Sequence, residues 1–167
     1  MTLLFFGALS IIGCGYERFQ KRLDNQEFNH YYALRVYMTE DVRKIYLKKK
    51  IREERDAYLK EIGLWDRFYK YEADQRDAIV AGEVELGWTR DMLEMSWGAP
   101  YDRQKPLGRQ ASRSEKFIYR FELQPDGGVL IWESNSKTVY KATKLFVREV
   151  ILDDDVVADI QEKESSW

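Results

Sequence analysis

The sequence predicts an α+β fold in which amino-terminal helices precede an antiparallel β-sheet. In the first half of the chain, apolar residues recur at helical spacing; in the second half, aromatic-rich, partly alternating runs are separated by turn residues. Helices followed by a run of strands are typical of folds whose helices pack against one sheet face. The chain has 167 residues, 44% hydrophobic and 34% charged, a composition that supports a packed core.

Three helices are predicted before residue 82. The first spans residues 26–37 with Asn25 as its N-cap, the second follows the N-cap Thr39 and ends at Gly63, and the third covers residues 64–81. Apolar residues at intervals of four, seven and four indicate one face of the second helix: Leu47, Ile51, Tyr58 and Ile62. The third has as its apolar members Trp65, Phe68, Tyr69, Ile79 and Val80.

Lys48, Lys49 and Lys50 lie on the second predicted helix. A solvated helix face is the ordinary interpretation of such a run. Close to anionic headgroups, however, each lysine would add about 1 kcal/mol of membrane affinity. These three residues are therefore the candidate membrane-facing residues.

A short capped helix is predicted from Arg90 to Trp97. Thr89 is its N-cap, Gly98 ends it, and Pro100 prevents its resumption. Gly87 permits an unusual backbone angle before the cap. The residues expected to face inward are Met92, Leu93 and Trp97.

Strands are predicted beyond a loop at residues 100–114. Turn residues at 124–128 and at Asp153–Asp155 join successive strands. The strand-like runs are Phe117–Leu123, Val129–Trp132, Thr138–Tyr140, Leu145–Leu152 and Val156–Ile160.

The residue counts exclude several kinds of site. One cysteine, Cys14, and one histidine, His30, exclude an internal disulfide, a cysteine-rich zinc site and any histidine-pair metal motif, so no metal or other cofactor is expected. Because the usual nucleophile–base pairs are missing, we expect no enzyme activity, and His30 is predicted to be a helix-surface or packing residue. The net charge of −2 gives no indication of a nucleic-acid partner, although residues 1–70 carry +4 and residues 71–167 carry −6.

An apolar run at residues 3–13 directly precedes Cys14. It is far shorter than the roughly 20 residues of a membrane-spanning helix, and its length is typical of a secretory signal. Its end, Ile11-Ile12-Gly13-Cys14, resembles the bacterial lipobox. The resemblance implies that residues 1–13 are removed and that Cys14 is acylated, and Gly15 in place of aspartate favours the outer membrane. The alternative is a buried amino-terminal strand.

Residues 79–100 resemble the signature of the SmpA/OmlA (BamE-like) lipoproteins. The matching positions are Ile79-x-x-Gly82, Gly87-Trp88-Thr89 and Trp97-Gly98-x-Pro100, with Trp88 where the family usually has methionine. The resemblance implies a lipid-anchored protein at the periplasmic face of the outer membrane, acting as a non-catalytic scaffold in an envelope complex, with barrel-assembly components as candidate partners. The candidate partner-binding residues are Trp88, Thr89, Arg90 and Trp97.

The predicted organisation has five parts: a signal peptide at 1–13, a tether and short helix at 14–38, a helical extension at 39–75, a BamE-like domain at 76–161 and a tail at 162–167. Two alternatives stay open. Gly87-Trp88-Thr89-Arg90-Asp91 bears a weaker resemblance to the Gly-Trp-x-Thr-Asp domain of some envelope proteins. The protein could also be a structural subunit of a trans-envelope motility or secretion apparatus, in which case a homo-oligomer is expected.

Overall fold

The computed structural model describes residues 23–105, 113–132 and 142–165. The predicted signal peptide, Cys14 and the predicted strand at 138–140 lie outside these ranges. The described helices are α1 (Asn25–Leu34), a 3-10 turn (Arg35–Tyr37), α2 (Glu40–Lys48), α3 (Arg52–Glu61), α4 (Leu64–Tyr69), α5 (Ala73–Ala81) and α6 (Arg90–Trp97). The described strands are β1 (Asp102–Gln104), β2 (Ser114–Leu123), β3 (Val129–Ile131), β4 (Lys144–Asp153) and β5 (Val156–Glu164). The α+β prediction is confirmed.

The described strands form one antiparallel sheet in the order β1-β2-β4-β5, and β3 pairs with the end of β2. Every residue of β2 pairs with β4, from Ser114 opposite Asp153 to Leu123 opposite Lys144. β1 pairs with β2 within the segment predicted as a loop, because its three exposed polar residues give no alternating pattern. β5 continues to Glu164, four residues beyond the predicted strand end.

The β4–β5 turn consists of two residues, Asp154 and Asp155, with φ angles of +47° and +65°. Two-residue hairpins favour positive φ at both central positions because this geometry matches the twist of the strands. The acidic turn predicted at this point is confirmed, and it forms without the glycine usual there, because aspartate tolerates the left-handed region better than most residues.

Two predicted helices are interrupted, which corrects their boundaries. The second breaks at Lys49–Ile51, where the backbone is extended. The Arg55 guanidinium donates to the Lys49 carbonyl oxygen at 2.6 Å, and the Glu54 carboxylate accepts from the Lys50 N–H at 3.1 Å. These side chains of α3 satisfy the backbone groups that the break leaves without helical partners.

The other interruption separates α4 from α5. Glu72 and Gln75 form a reciprocal capping box that begins α5, and Arg76 donates to the Tyr71 carbonyl oxygen at 2.6 Å. The first helix also differs from the prediction: its N-cap is Asp24, whose side chain accepts from the Glu27 N–H while Glu27 accepts from the Asp24 N–H. Asn25 is the first helical residue.

The inner face of the sheet packs against α6. Phe117, Tyr119 and Phe121 alternate along β2 with partly exposed residues, and Phe146, Val150 and Leu152 occupy the paired face of β4. The helices before α6 join the same core, which includes Tyr46, Leu59 and Phe68. The predicted helical extension therefore shares one core with the sheet. Among the described residues, none of the helices has both the length and the apolarity needed to cross a bilayer.

Candidate functional site

The segment before α6 is held by main-chain hydrogen bonds to the start of β5. The Gly87 N–H donates to the Val157 carbonyl oxygen at 2.8 Å, and the Val157 N–H donates to the Trp88 carbonyl oxygen at 2.7 Å. The Arg90 N–H then donates to the Asp155 carbonyl oxygen at 2.7 Å. Gly87 has φ +87°, a conformation that glycine adopts without strain. These bonds place the first turn of α6 beside the β4–β5 turn.

Of the four predicted partner-binding residues, the two tryptophans lie in the core. The exposed fractions of Trp88 and Trp97 are 7% and 2%. The Trp97 Nε1–H donates to the Gly82 carbonyl oxygen at 2.8 Å, and its ring packs edge-on against Tyr119 and Phe121. This burial corrects the assignment of Trp88 and Trp97 as partner-binding residues and agrees with the inward orientation predicted for Trp97: both rings belong to the hydrophobic core.

Thr89 and Arg90 instead reach the surface. Thr89 is exposed and caps α6, its hydroxyl oxygen accepting from the Met92 N–H at 3.3 Å. The Arg90 guanidinium contacts Glu115 at 2.7 Å and Asp155 at 2.6 Å. Arg90 thereby links α6, β2 and the β4–β5 turn through charge-assisted contacts.

Two clefts lie on either side of Arg90. The larger, of about 420 Å³, we call the α6 cleft; its lining is Tyr37, Arg67, Thr89, Arg90, Asp91, Glu94, Asp154, Asp155 and Val156. The smaller, of about 290 Å³, is lined by Arg90, Lys105, Arg113, Ser114, Glu115, Asp154 and Asp155. Val156, in the lining of the α6 cleft, is 37% exposed, and Leu86, which directly precedes Gly87, is 65% exposed, so two apolar side chains are available for contact near the start of α6.

Asp91 is the most heavily contacted group in the α6 cleft. Its carboxylate accepts from the Tyr37 hydroxyl at 2.6 Å and from the Lys70 ammonium at 2.8 Å, while Arg67 lies 3.6 Å away. Burial by itself would raise the pKa of Asp91, but the hydrogen bonds from Lys70 and Tyr37 and the charge of Arg67 bring it below its ordinary value. Asp91 is thus held ionised and joins α6 to the helices before it.

The pKa of the neighbouring carboxyl group, that of Glu94, is shifted in the opposite direction. Burial raises the pKa of Glu94, although the Arg103 guanidinium, 2.7 Å from its carboxylate, opposes the shift. The acidic side chains of α6 are therefore engaged in pairs within the fold. This arrangement suits a preformed contact surface, because its charges are already oriented by neighbouring elements.

His30 lies away from both clefts, packed against the rings of Trp65 and Phe68. Its Nε2 is 2.6 Å from the Tyr69 hydroxyl and its Nδ1 is 3.4 Å from an Asp56 carboxylate oxygen. With 1% exposure it is a packing residue, and the alternative of a helix-surface position is wrong. Burial lowers the pKa of His30, although the Asp56 charge opposes the shift.

This environment predicts a pH dependence of stability. Because the pKa of His30 is lowered in the folded chain, the unfolded chain takes up the proton first, and the free energy of unfolding should fall as the pH drops through about 6.5. Thermal unfolding followed from about pH 7.5 to about pH 5.5 should show a smaller fall for His30→Gln than for the unsubstituted chain. Equal slopes would contradict this assignment.

The predicted membrane-facing lysines lie at a corner rather than along one helix. Lys48 is the last residue of α2, Lys49 is its C-cap, and Lys50 lies between α2 and α3. Lys48 and Lys50 are exposed, whereas the Lys49 ammonium lies 5.1 Å from the centre of the Tyr58 ring. The predicted acylation site, Cys14, lies outside the described residues.

Some residues of this site could not be predicted from any pattern in the sequence. Tyr37 and Lys70 are 54 and 21 positions from Asp91, and neither belongs to a motif with it. Comparison of the chain with protein-family models, with curated proteins and with solved structures found no match.

Proposed function

We propose that the protein is a non-catalytic lipoprotein at the periplasmic face of the outer membrane, attached through acylated Cys14, where it helps to assemble or stabilise an envelope protein complex. The observation that carries the proposal is the Ile11-Ile12-Gly13-Cys14 sequence at the end of an apolar run. Acyl chains bind a bilayer by about 0.8 kcal/mol for each buried methylene, so several chains hold a protein durably.

The α6 cleft and the segment before α6 support the scaffold part of the proposal. Val156 is an exposed apolar side chain among charged groups of the cleft that the fold holds in place, and Leu86, just before Gly87, is a second exposed apolar side chain. Apolar side chains beside a preordered polar rim suit recognition of another protein. The residues of the proposed signature have local roles that favour the SmpA/OmlA resemblance: Thr89 caps α6, and Gly98, with φ +80°, follows its last residue.

The first test is the position of the protein after Cys14→Ala. We expect the unsubstituted chain to fractionate with the outer membrane and the variant to move to the soluble periplasmic fraction, because the thiol that takes the lipid is gone. Metabolic labelling with a fatty-acid analogue should mark the unsubstituted chain and leave Cys14→Ala unlabelled. A variant that stays in the membrane fraction would contradict the anchor.

A second experiment uses the same chain to identify the partner complex. The tagged, lipidated protein is purified from gently solubilised outer membranes, and co-purifying proteins are identified against the Cys14→Ala chain as control. Recovery of barrel-assembly components supports the proposed role. Recovery of many copies of the chain together with motility or secretion proteins overturns that role and favours a structural subunit of a trans-envelope apparatus.

A further inference from the structure

The corner between α2 and α3 exposes two large apolar side chains. Ile45 on α2 is 45% exposed, and Ile51, immediately before α3, is 53% exposed. Burying isoleucine away from water is favourable by about 1.5–3 kcal/mol. Ile51 is exposed because the chain leaves the helical path at Lys49, which turns this position out of the apolar face predicted from the sequence. Two isoleucine side chains within seven residues of the chain are thus exposed to solvent.

Lysines flank these isoleucines, together with the exposed acid Asp41, one turn before Ile45 on α2. Lys48 lies three residues after Ile45 on α2, so the two side chains share a helix face, and Lys50 directly precedes Ile51. Both lysines are exposed. Of the nearest acids, Glu54 accepts the Lys50 backbone N–H and Glu53 is exposed in the first turn of α3. Apolar side chains flanked by lysines favour the interface of an anionic bilayer.

The start of α1, where the described part of the chain begins, also lies beside this corner. Arg52, the residue after Ile51, lies 3.8 Å from the Asp24 carboxylate and donates to the Gln26 side-chain oxygen. Asp24 is the N-cap of α1 and follows Cys14 by ten residues. Ten extended residues reach about 33–36 Å at most. A lipid held at Cys14 therefore keeps Asp24 within that distance of the membrane, and Arg52, next to Ile51, lies beside Asp24.

We propose that the α2–α3 corner, formed by Ile45, Lys48, Lys50 and Ile51, lies on an anionic phospholipid surface. The isoleucines enter the interface and the two ammonium groups contact lipid phosphates. This inference rests on the proposed attachment through Cys14, to which it adds a second contact that orients the folded domain. The exposed apolar side chains near the start of α6 do not fit such a surface, since Leu86 directly follows the exposed acid Glu85 and Val156 directly follows the exposed acid Asp155.

The test uses the full lipidated chain on vesicles. Because the Cys14 thiol is acylated in that chain, Ile51→Cys supplies one free thiol for an environment-sensitive fluorophore. Vesicles of phosphatidylcholine with about 30% phosphatidylglycerol provide the anionic surface. We expect a blue shift of the label and quenching by brominated lipid, both reduced on vesicles of phosphatidylcholine alone. The matched control is Leu86→Cys, an exposed apolar position with acidic neighbours, whose label should not shift.

A charge variant separates apolar contact from electrostatics. Lys48→Gln/Lys50→Gln, at two exposed positions, should abolish the blue shift at position 51 while leaving thermal stability and vesicle flotation unchanged. Protein that floats with the vesicles but shows no shift at position 51, or equal shifts at 51 and 86, overturns the inference and leaves the lipid anchor intact. Protein that does not float overturns the anchor and this inference with it.

Discussion

Replacing Arg55 by alanine is expected to lower the free energy of unfolding by about 3–5 kcal/mol. Arg55 and Glu27 are 4% and 3% exposed, and the Arg55 Nη1 pairs with a Glu27 carboxylate oxygen. Without the guanidinium, a carboxylate remains buried with no opposite charge in contact. The Lys49 carbonyl oxygen also loses its donor, so the break between α2 and α3 is weakened together with the contact to α1.

Urea unfolding measures this loss. The informative comparison is the double variant Glu27→Gln/Arg55→Met, in which neither group is charged and glutamine keeps an oxygen for the Asp24 N–H. Because a buried ion pair costs desolvation that neutral replacements avoid, the double variant should be more stable than Arg55→Ala. If the two variants lost the same free energy, the uncompensated Glu27 charge would not be the cause.

Trp97→Ala is expected to lower the free energy of unfolding by about 3–5 kcal/mol. The indole ring centre lies 5.2 Å from that of Tyr119 and 5.1 Å from that of Phe121, and its N–H bonds to Gly82 at the end of α5. Alanine removes these contacts, leaves a cavity between α6 and the sheet, and leaves the Gly82 carbonyl oxygen without this donor.

Trp97→Phe is the matched control, because it keeps an aromatic ring and loses the N–H. Its expected loss, about 1–2 kcal/mol, combines the missing hydrogen bond with the smaller ring volume. Denaturant unfolding of both variants also tests the placement of Trp97. If Trp97 were a surface contact for a partner, alanine would leave the free energy of unfolding unchanged.

The sequence predicted elements whose ends are fixed locally. Thr89 and Gly98 bound α6 through short-range capping interactions, and the three aspartates of the last hairpin mark its turn. Such signals depend on a few adjacent residues, so the same element ends are predicted regardless of how the rest of the chain packs. The partly alternating, aromatic-rich run Phe117–Leu123 predicted a strand for a similar reason, since strand geometry fixes the period.

The interrupted helices and the candidate site depend on distant residues. The break at Lys49 is stabilised by Arg55, whose own position is fixed by Glu27 of α1. The spacing of apolar residues contains no information about this contact, so the prediction placed Ile51 on the apolar face of a continuous helix. The burial of Trp88 and Trp97 likewise follows from the position of α6 on the sheet, and tryptophan as a residue type is suited to both a core and an interface.

The hydrogen bonds that tie Gly87–Arg90 to the start of β5 have a consequence for aggregation. A strand at the margin of a sheet offers unpaired N–H and carbonyl groups to other chains, and the bonds from Gly87, Trp88 and Arg90 occupy those groups around Asp155–Val157. Farther along, the register shift opposite Ile151–Leu152 bends β5, and its exposed residues include Asp159, Glu162, Lys163 and Glu164. Crowded copies of this protein should therefore resist joining their sheets through the β5 edge.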